Sequence, residues 1–374
     1  MYKFIGRLLL ISACVTSFWM CTHVDAGDAE IVIGFRDSDF SREYLASEVF
    51  DSVALVRLES RHECLISDVT KLIVKNGKIY VFDGQQNIVF RFDFDGRYID
   101  KLHSVGRAKY EYLDLYDVVI AESGDVYLLH GDAKTISIYD NSFNFKERKQ
   151  LDFYVDAFAQ LRGELFAFNG SQREHRLFVY DIDKEIVLYS CFKYSEKTGG
   201  RLISPFVDSS GGVYFQKQHD HVIYNVTEEA VTSWAEMDYR NYSESELVDV
   251  GLWFVPPAYG ADLGWLVDSG AWLYFQFQCE ELGEAPYFVF SRKDDAGKVV
   301  LSEGNYCDDI LHYPHPPLIK TSFGKDCFVG VLKPHIMLKY STEEQLETIG
   351  LNDVDASDNP ILAFYYMNGN ICGE

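Results

Sequence analysis

The feature that most constrains this fold is a recurring run of short alternating strands separated by turns. It is clearest from Lys78 to Leu102, where the sequence reads KIYVFDGQQNIVFRFDFDGRYIDKL. Apolar and polar residues alternate in KIYVFD, IVFRFD and RYIDKL, and the breaks GQQN and FDG consist mainly of residues that favour turns. With the preceding VTKLIVKN, this stretch predicts a unit of four antiparallel strands.

The same unit recurs along the chain. An aromatic residue follows each turn one or two positions later, at Tyr80, Tyr127, Phe166, Tyr214, Tyr274 and Phe328. The intervals are 47, 39, 48, 60 and 54 residues. Four-stranded units of this length are typical of β-propeller blades, because a sheet with two apolar faces is stable only when neighbours cover both. The sequence therefore predicts an all-β, six-bladed β-propeller of four-stranded antiparallel blades, with seven blades as the alternative count.

The sequence does not decide which strand closes the ring. SVALVRL near the N-terminus (52–58) and PILAFYYM near the C-terminus (360–367) are both left over, and either could complete the closing blade. Two tandem β-sandwiches are the rival architecture, but no Pro/Gly/Ser-rich linker interrupts the period. One non-conforming insertion, at about 239–260, has the pattern of a short helix. The predicted domains are a lipoprotein-type signal peptide (1–20), an N-terminal tether and lead-in (21–49) and the propeller (50–374).

The N-terminus predicts export. A basic MYKFIGR precedes LLLISACVTSFWM, an apolar run too short to span a bilayer but right for a signal sequence. Cys21 follows the full apolar run and is the predicted lipidation site. Cys14, after Ile-Ser-Ala, has the better preceding residues but leaves a very short apolar run. Cleavage after Val24-Asp25-Ala26 and a retained membrane anchor are two competing hypotheses.

Composition narrows the class of partner. The formal charge is −24 at pH 7, and no basic stripe is visible. This argues against nucleic acid and against electrostatic docking on anionic lipid. The predicted contact with a membrane is therefore only through the N-terminal lipid, and self-repulsion favours a monomer.

Several segments together resemble a known family. They are FDSVALVRLES (50–60), ISDVTKLIVKNGKIYVFD (66–83), VGRAKYEYLDLYDV (105–118) and the terminal DNPILAFYYMN. The chain resembles the exported six-bladed β-propeller proteins of Bacteroides-type bacteria, many of which are lipoproteins. The resemblance implies fold and location but no reaction. In that family one loop typically reads G-R-G-P-G-E-Y, whereas here it reads Gly-Arg-Ala-Lys-Tyr-Glu-Tyr over 106–112. Without the Gly-Pro-Gly, the loop has fewer positions that favour positive φ.

Candidate functional residues lie in turns and inter-blade loops. In a propeller, the turn between the second and third strands of a blade and the loop to the next blade share one face. Six histidines fall in or beside such segments: His130, His219, His221, His312, His315 and His335. His219 and His221 are weak metal candidates, because residues i and i+2 on a strand point the same way. Exposed turns that merely tolerate histidine are the simpler explanation, so neither a metal nor another cofactor is predicted.

The remaining motifs add little chemistry. No G-x-S-x-G, P-loop, G-x-G-x-x-G or H-E-x-x-H motif occurs. The acidic pairs Asp93/Asp95, Asp181/Asp183 and Asp294/Asp295 fit turn formation better than acid–base catalysis. Six cysteines in the body show no C-x-x-C spacing, and a free buried cysteine is the default for each.

The sequence thus predicts a non-catalytic binding or scaffold propeller of the cell envelope, on the outer membrane or in the periplasm. Its ligand would be a glycan, a peptide or a protein. The predicted ligand-binding residues are Arg107, Tyr110, Glu111, His130, His219, His221, His312 and His315. The alternative is an enzyme of the propeller lyase, lactonase or glycosidase kind that uses the histidine-bearing loops.

Overall fold

The computed structural model describes residues 24–25, 27–170, 175–193, 205–209, 212–217, 220–238, 261–262, 266–279, 283–294 and 297–369. The predicted helix at 239–260, His219 and the signal region 1–23 lie outside these residues. Six antiparallel sheets form six blades around one axis, which confirms the predicted six-bladed β-propeller.

The chain enters the ring through a segment of short elements and one long strand. These are β1 (Val24–Asp25), β2 (Ile31–Gly34), α1 (Asp37–Ser41), β3 (Tyr44–Leu45), α2 (Ala46–Val49) and β4 (Phe50–Arg57).

Blades 1 to 3 each consist of four consecutive strands, ordered from the axis outward. Blade 1 contains β5 (Lys71–Lys75), β6 (Lys78–Asp83), β7 (Ile88–Phe92) and β8 (Tyr98–Leu102). Blade 2 contains β9 (Leu115–Ile120), β10 (Val126–His130), β11 (Thr135–Tyr139) and β12 (Phe145–Gln150). Blade 3 contains β13 (Val155–Arg162), β14 (Leu165–Gly170), β15 (His175–Asp181) and β16 (Ile186–Lys193).

Blades 4 to 6 keep this plan with additions. Blade 4 contains β17 (Phe206–Ser209), β18 (Gly212–Gln216), β19 (Val222–Val226) and β20 (Val231–Asp238). Blade 5 contains β21 (Ala261–Asp262), β22 (Val267–Asp268), β23 (Trp272–Cys279), β24 (Gly283–Arg292) and β25 (Lys298–Leu301). The chain then forms β26 (Tyr306–Cys307), β27 (Ile319–Ser322), β28 (Cys327–Leu332), α3 (Pro334–Tyr340), α4 (Glu343–Thr348) and β29 (Ile361–Met367).

The ring closes with both strands that the sequence left unassigned. Blade 6 has the order β27, β28, β29, β4, with Ile361 opposite Arg57 and Met367 opposite Phe50. The innermost strands β5, β9, β13, β17, β22 and β27 each contact the next, and β27 contacts β5. The N-terminal strand is therefore the outermost strand of the last blade, and its pairing joins the two ends of the chain.

The sixth unit departs from the plan of four consecutive strands. Between Ile319 and Gly350 the chain supplies only β27 and β28, followed by α3 and α4. Pro334 occupies the first turn of α3, where a missing N–H costs nothing. Thr342 caps α4 by accepting the Gln345 N–H at 3.2 Å, and the Gln345 side chain accepts the Thr342 N–H.

The recurring aromatic residues form the packing between blades. Tyr80, Tyr127, Phe166, Tyr214, Tyr274 and Phe328 are all at most 5% exposed. Burial of each of these side chains contributes on the order of 2 kcal/mol. The aromatic repeat in the sequence therefore corresponds to the repeated core packing between blades.

The N-terminal segment follows the outer edges of blades 4 and 5 before it enters blade 6. β1 and β2 both pair in parallel with β20, the outermost strand of blade 4. On blade 5, α1 packs on β25, where Lys298 Nζ lies 2.8 Å from the Asp39 carboxylate. β3 then pairs with β26.

The propeller has two unlike faces. On one, termed the short-turn face, lie the turns between first and second and between third and fourth strands, such as 76–77, 93–97, 162–164 and 227–230. On the other, the long-loop face, lie the connections 58–70, 103–114, 302–318 and 333–360. Arg162 and Glu228 form an ion pair between turns of blades 3 and 4 and so place both turns on the short-turn face.

Two further findings concern the described residues. No helix among them has the length and apolar character needed to cross a membrane. Within the same ranges Cys64, Cys191, Cys307 and Cys327 form no disulfide, and all but Cys307 are buried.

Candidate binding surface

The loop between blades 1 and 2 is held in one conformation by its own backbone. The Gly106 N–H donates to the Tyr112 carbonyl at 2.8 Å, and the Tyr112 N–H donates to the Ser104 carbonyl at 2.9 Å. The Glu111 carboxylate accepts the Ala108 N–H at 2.7 Å, and the Glu111 N–H donates to the Ala108 carbonyl at 3.0 Å. The loop is therefore a preformed surface feature.

At position 106 a side chain would displace the Glu111 carboxylate from its place in the loop. A Cβ at Gly106 would lie 2.0 Å from Glu111 Oε2. Ala108, Lys109 and Tyr110 are not among the residues with positive φ. The family's Gly-Pro-Gly is thus replaceable by Ala-Lys-Tyr here, and the replacement adds side chains to the loop without backbone strain.

His130 anchors this loop from below. It ends β10, is 8% exposed, and its Nε2 lies 2.8 Å from Ser137 Oγ. Arg148 donates from Nε to Ser137 Oγ at 3.2 Å and from its terminal nitrogen to the Glu111 carbonyl. Burial, with the nearby Arg148 guanidinium, lowers the pKa of His130 to about 4. His130 is therefore a neutral, structural histidine at pH 7.

The loop presents apolar and basic side chains to solvent. Val105, Tyr110, Leu113 and Tyr116 are 45%, 53%, 59% and 37% exposed. Arg107 and Lys109 between them are also exposed. We term residues 105–116 the 105–116 surface. Its formal charge is zero, from Arg107, Lys109, Glu111 and Asp114, in a chain whose formal charge is −24.

Of the predicted residues, four meet at this surface. Arg107 and Tyr110 project into solvent, Glu111 folds back onto its own loop, and His130 lies beneath. The Tyr110 carbonyl accepts the Tyr139 hydroxyl at 2.6 Å, which fixes the loop to blade 2. Sequence reasoning missed Leu113 and Tyr116. For Leu113, its apolar character in an inter-blade loop was the available signal, whereas Tyr116 is the second residue of β9 and its exposure had no signal in the sequence.

His312 and His315 lie elsewhere, in the connection from blade 5 to blade 6. His315 Nδ1 is 3.0 Å from the Glu303 carboxylate, and its ring meets Tyr313 and Tyr340 edge-on at centroid distances of 6.0 and 6.5 Å. His312 has φ 55° and its carbonyl accepts the Ser341 hydroxyl at 3.4 Å. These two histidines hold the connection against α3.

The other candidate histidines do not join either group. His221 is exposed just before β19 in blade 4, and its carbonyl accepts the Met237 N–H at 2.9 Å. His335 is exposed on α3. The five candidate histidines that the structure describes lie on the long-loop face: His130 on blade 2, His221 on blade 4, and His312, His315 and His335 around the connection into blade 6 and α3. Within the described ranges, no three His, Cys, Asp or Glu side chains are placed to hold a metal ion together.

The acidic pairs are turn residues, as the sequence indicated. Asp93 Oδ1 accepts the N–H groups of Asp95 at 3.0 Å and Arg97 at 2.9 Å. Asp181 Oδ1 accepts the Lys184 N–H at 2.9 Å. Asp294 pairs with Arg292 at 2.6 Å, while Asp295 lies outside the described residues.

A small cleft opens at the long-loop end of blade 6, between the start of the connection 58–70 and the end of the connection 333–360. Its volume is about 220 Å³, and its lining includes Arg57, Glu59, Ser60, Asp358 and Asn359. Ligand pockets for drug-sized molecules are typically about 300–1,000 Å³. The cleft is below that range and lies apart from the 105–116 surface.

Fold and surface together define a class, the β-propellers that carry long loops on one face. The family of this chain is identified by comparison with known protein families. The family model of a domain of unknown function, DUF4934, matches residues 31–366, and the chain belongs to this family. This confirms the family resemblance seen in the sequence.

Solved structures show the same architecture. A "Putative exported protein" from Bacteroides fragilis NCTC 9343 has a TM-score of 0.73 at 13% identity, covering 90% of this chain and 99% of that one. A member of the DUF4221 family from Bacteroides vulgatus ATCC 8482 has a TM-score of 0.52 at 8% identity, covering 86% and 98%. At these identities the likeness is one of fold. No curated protein matches the chain.

Proposed function

We propose that this protein is an exported, lipid-anchored β-propeller that acts as a non-catalytic docking module and binds a protein partner through the 105–116 surface. The observation that carries the proposal is the exposure of Val105, Tyr110, Leu113 and Tyr116 on a loop whose backbone is fixed by hydrogen bonds. Tyrosine and arginine on a preformed loop are the side chains enriched at binding hot spots.

The shape of the surface favours a protein over a small molecule. The exposed side chains project outward from a loop, whereas small ligands need concave sites. Clustered exposed apolar groups rimmed by charge mark protein interaction sites. The exposed charges are Arg107, Lys109 and Asp114. The partner would therefore present an apolar patch with carboxylates opposite Arg107 and Lys109.

The histidines support binding rather than catalysis. His130 is neutral and hydrogen-bonded within the fold, and His315 is paired with Glu303. The candidate histidines among the described residues occupy blades 2, 4 and 6 and the connection before blade 6, so they do not supply one reactive centre.

Site-specific photo-crosslinking in the producing cell tests this proposal. A photoreactive phenylalanine analogue would replace Tyr110 or Leu113, with Ile99 as the matched control because it is 43% exposed on β8. We expect one discrete protein adduct from positions 110 and 113, lost when Arg107→Glu and Lys109→Glu are added. Equal adducts from position 99, or none from 110 and 113, would contradict docking at this surface.

Lipid anchoring rests on the N-terminal sequence and on β1. Val24 and Asp25 pair with Val231 and Thr232, so cleavage after Ala26 would remove a strand from blade 4. Retention of β1 favours processing at Cys21 or Cys14. Incorporation of labelled palmitate should disappear in Cys21→Ser; if it persists in Cys21→Ser and disappears in Cys14→Ser, the anchor is Cys14.

A further inference from the structure

The path of the N-terminal strand determines how an anchored propeller would face its membrane. β1 runs parallel to β20, with Val24 opposite Val231. Val231 is the first residue of β20 and directly follows the turn 227–230 on the short-turn face. Because the strands are parallel, the N-terminal end of β1 lies at the short-turn end of blade 4.

A lipid on Cys21 would lie close to the N-terminal end of β1. Cys21 lies three residues before Val24, and three residues span at most about 11 Å. A domain of this length has a radius of gyration of about 21 Å. Since the connection is shorter than that radius, the propeller cannot turn over on its anchor.

The chemistry of the short-turn face fits a headgroup layer. Its turns are short, and Arg97, Arg162 and Lys184 expose 75%, 68% and 72% of their side chains. Each of these cations is paired with a carboxylate, so the face carries no strong net attraction to anionic lipid. The acyl chain would provide the affinity, and the exit point of the strand would provide the direction.

The long-loop face has the opposite character. It carries the connections 103–114, 302–318 and 333–360, and with them the 105–116 surface. We propose that the short-turn face, on the side of blade 4, lies against the lipid bilayer and that the long-loop face points away from it. This inference rests on the proposed lipidation of Cys21.

The predicted orientation depends on whether Cys21 or Cys14 carries the lipid. Lipid on Cys14 would leave ten residues before Val24, which reach up to about 35 Å. That length exceeds the radius of the domain, and the orientation would then be free. A fixed orientation is therefore expected only with the anchor at Cys21.

Protease accessibility on vesicles measures the orientation. Gly163 on the short-turn face and Gly350 on the long-loop face form a matched pair, because both are exposed, both have positive φ, and a Cβ at either position would meet no atom within 4 Å. A seven-residue protease site, about as long as a specific protease requires, would be inserted after each. Gly77, with the same properties on blade 1, provides a second short-turn position if the Gly163 insertion fails to fold.

The lipidated full-length protein would be added to the outside of preformed phosphatidylethanolamine/phosphatidylglycerol vesicles. We expect cleavage after Gly163 and Gly77 to be at least about tenfold slower on vesicles than in detergent, and cleavage after Gly350 to be unchanged. For the Cys21→Ser protein, the rate of cleavage at each site should be the same with and without vesicles.

Two results would contradict the inference in different ways. Cleavage on vesicles that is as fast after Gly163 as after Gly350 would overturn the orientation while leaving the anchor intact. A wild-type protein that does not float with vesicles would overturn the lipidation itself, and with it the orientation, but not docking at the 105–116 surface.

Discussion

Asn359 should be one of the most sensitive positions in the fold. It is 3% exposed and joins the connection 58–70 to blade 6. Its Oδ1 accepts the Ile66 N–H at 2.8 Å, and its Nδ2 donates to the carbonyls of Glu59 at 2.7 Å and Cys64 at 2.8 Å. One side chain thus satisfies three backbone groups of a loop that crosses the closure point of the ring.

The magnitude follows from those three bonds. The Glu59 carbonyl also accepts the Cys64 thiol at 3.0 Å, so Asn359→Ala would leave two backbone groups unpaired. At about 1–3 kcal/mol for each group, the free energy of unfolding should fall by about 2–6 kcal/mol. Domains are stable by only about 5–15 kcal/mol, so this is a large fraction of the total. The exposed Asn144 makes one side-chain bond, to Asp140 at 3.0 Å, and Asn144→Ala should cost less than about 0.5 kcal/mol.

Asn359→Asp sharpens the test. The aspartate keeps the acceptor for the Ile66 N–H but replaces the donor to two carbonyls with a second acceptor. It should therefore destabilise at least as much as Asn359→Ala, despite its nearly identical shape. Guanidinium unfolding followed by tryptophan fluorescence measures all three variants. A loss below about 1 kcal/mol for Asn359→Ala, or an aspartate variant more stable than the alanine variant, would refute the reasoning.

Further predictions concern the loop, the buried histidine, a blade contact and metal content. Gly106→Ala should break the Ala108–Glu111 bond and weaken partner binding about tenfold or more, while Gly34→Ala, which has open space around its Cβ, should not. The pKa of His130 lies near 4 when folded and about 6.5 when unfolded, so the unfolded state binds more protons between these values. Stability should therefore fall by up to roughly 3 kcal/mol as pH drops from 6.5 to 4, and His130→Gln should remove that part of the pH dependence in urea titrations. Arg91 donates to Asp100 at 2.7 Å and to the Asn141 carbonyl at 2.6 Å, linking blades 1 and 2, so Arg91→Met should cost about 2–4 kcal/mol by thermal unfolding, with exposed Arg97→Met near zero. Stoichiometric metal in the purified protein, lost in the His219→Ala, His221→Ala double variant, would count against the non-catalytic proposal.

Local pattern predicted the strands closely because alternation and turn residues are local properties. KIYVFD coincides with β6, and IVFRFD and RYIDKL each differ from β7 and β8 by one residue. Asp83, which ends β6, accepts the Gln85 and Gln86 N–H groups at 3.0 Å and so shapes the GQQN turn. The opening stretch is three strands of blade 1, with its aspartates in turns.

Closure could not be predicted in the same way. The pairing of β4 with β29 joins segments about 300 residues apart, and the sequence of each indicates only that it is a strand. Only the geometry of the ring decides that both belong to blade 6. The helices α3 and α4 interrupt the strand period after β28, and their first turns are marked in the sequence by Pro334 and Thr342.

The candidate surface was predicted only in part. Gly106, Arg107 and Tyr110 stood out in a motif, but the fold decided which side chains of that loop reach solvent. Glu111 looked like a ligand-binding residue and proves to brace the loop through Ala108. His130 looked exposed in a turn and is buried beneath the loop.

The most direct test of the docking proposal is the affinity of the crosslinked partner, once purified, for matched surface variants. Isothermal titration would compare wild type, Tyr110→Ala and Ile99→Ala. A hot-spot tyrosine contributes about 2 kcal/mol, so we expect Tyr110→Ala to weaken binding about 30-fold and Ile99→Ala to leave it within about twofold. Equal affinity of wild type and Tyr110→Ala would contradict the 105–116 surface as the binding site.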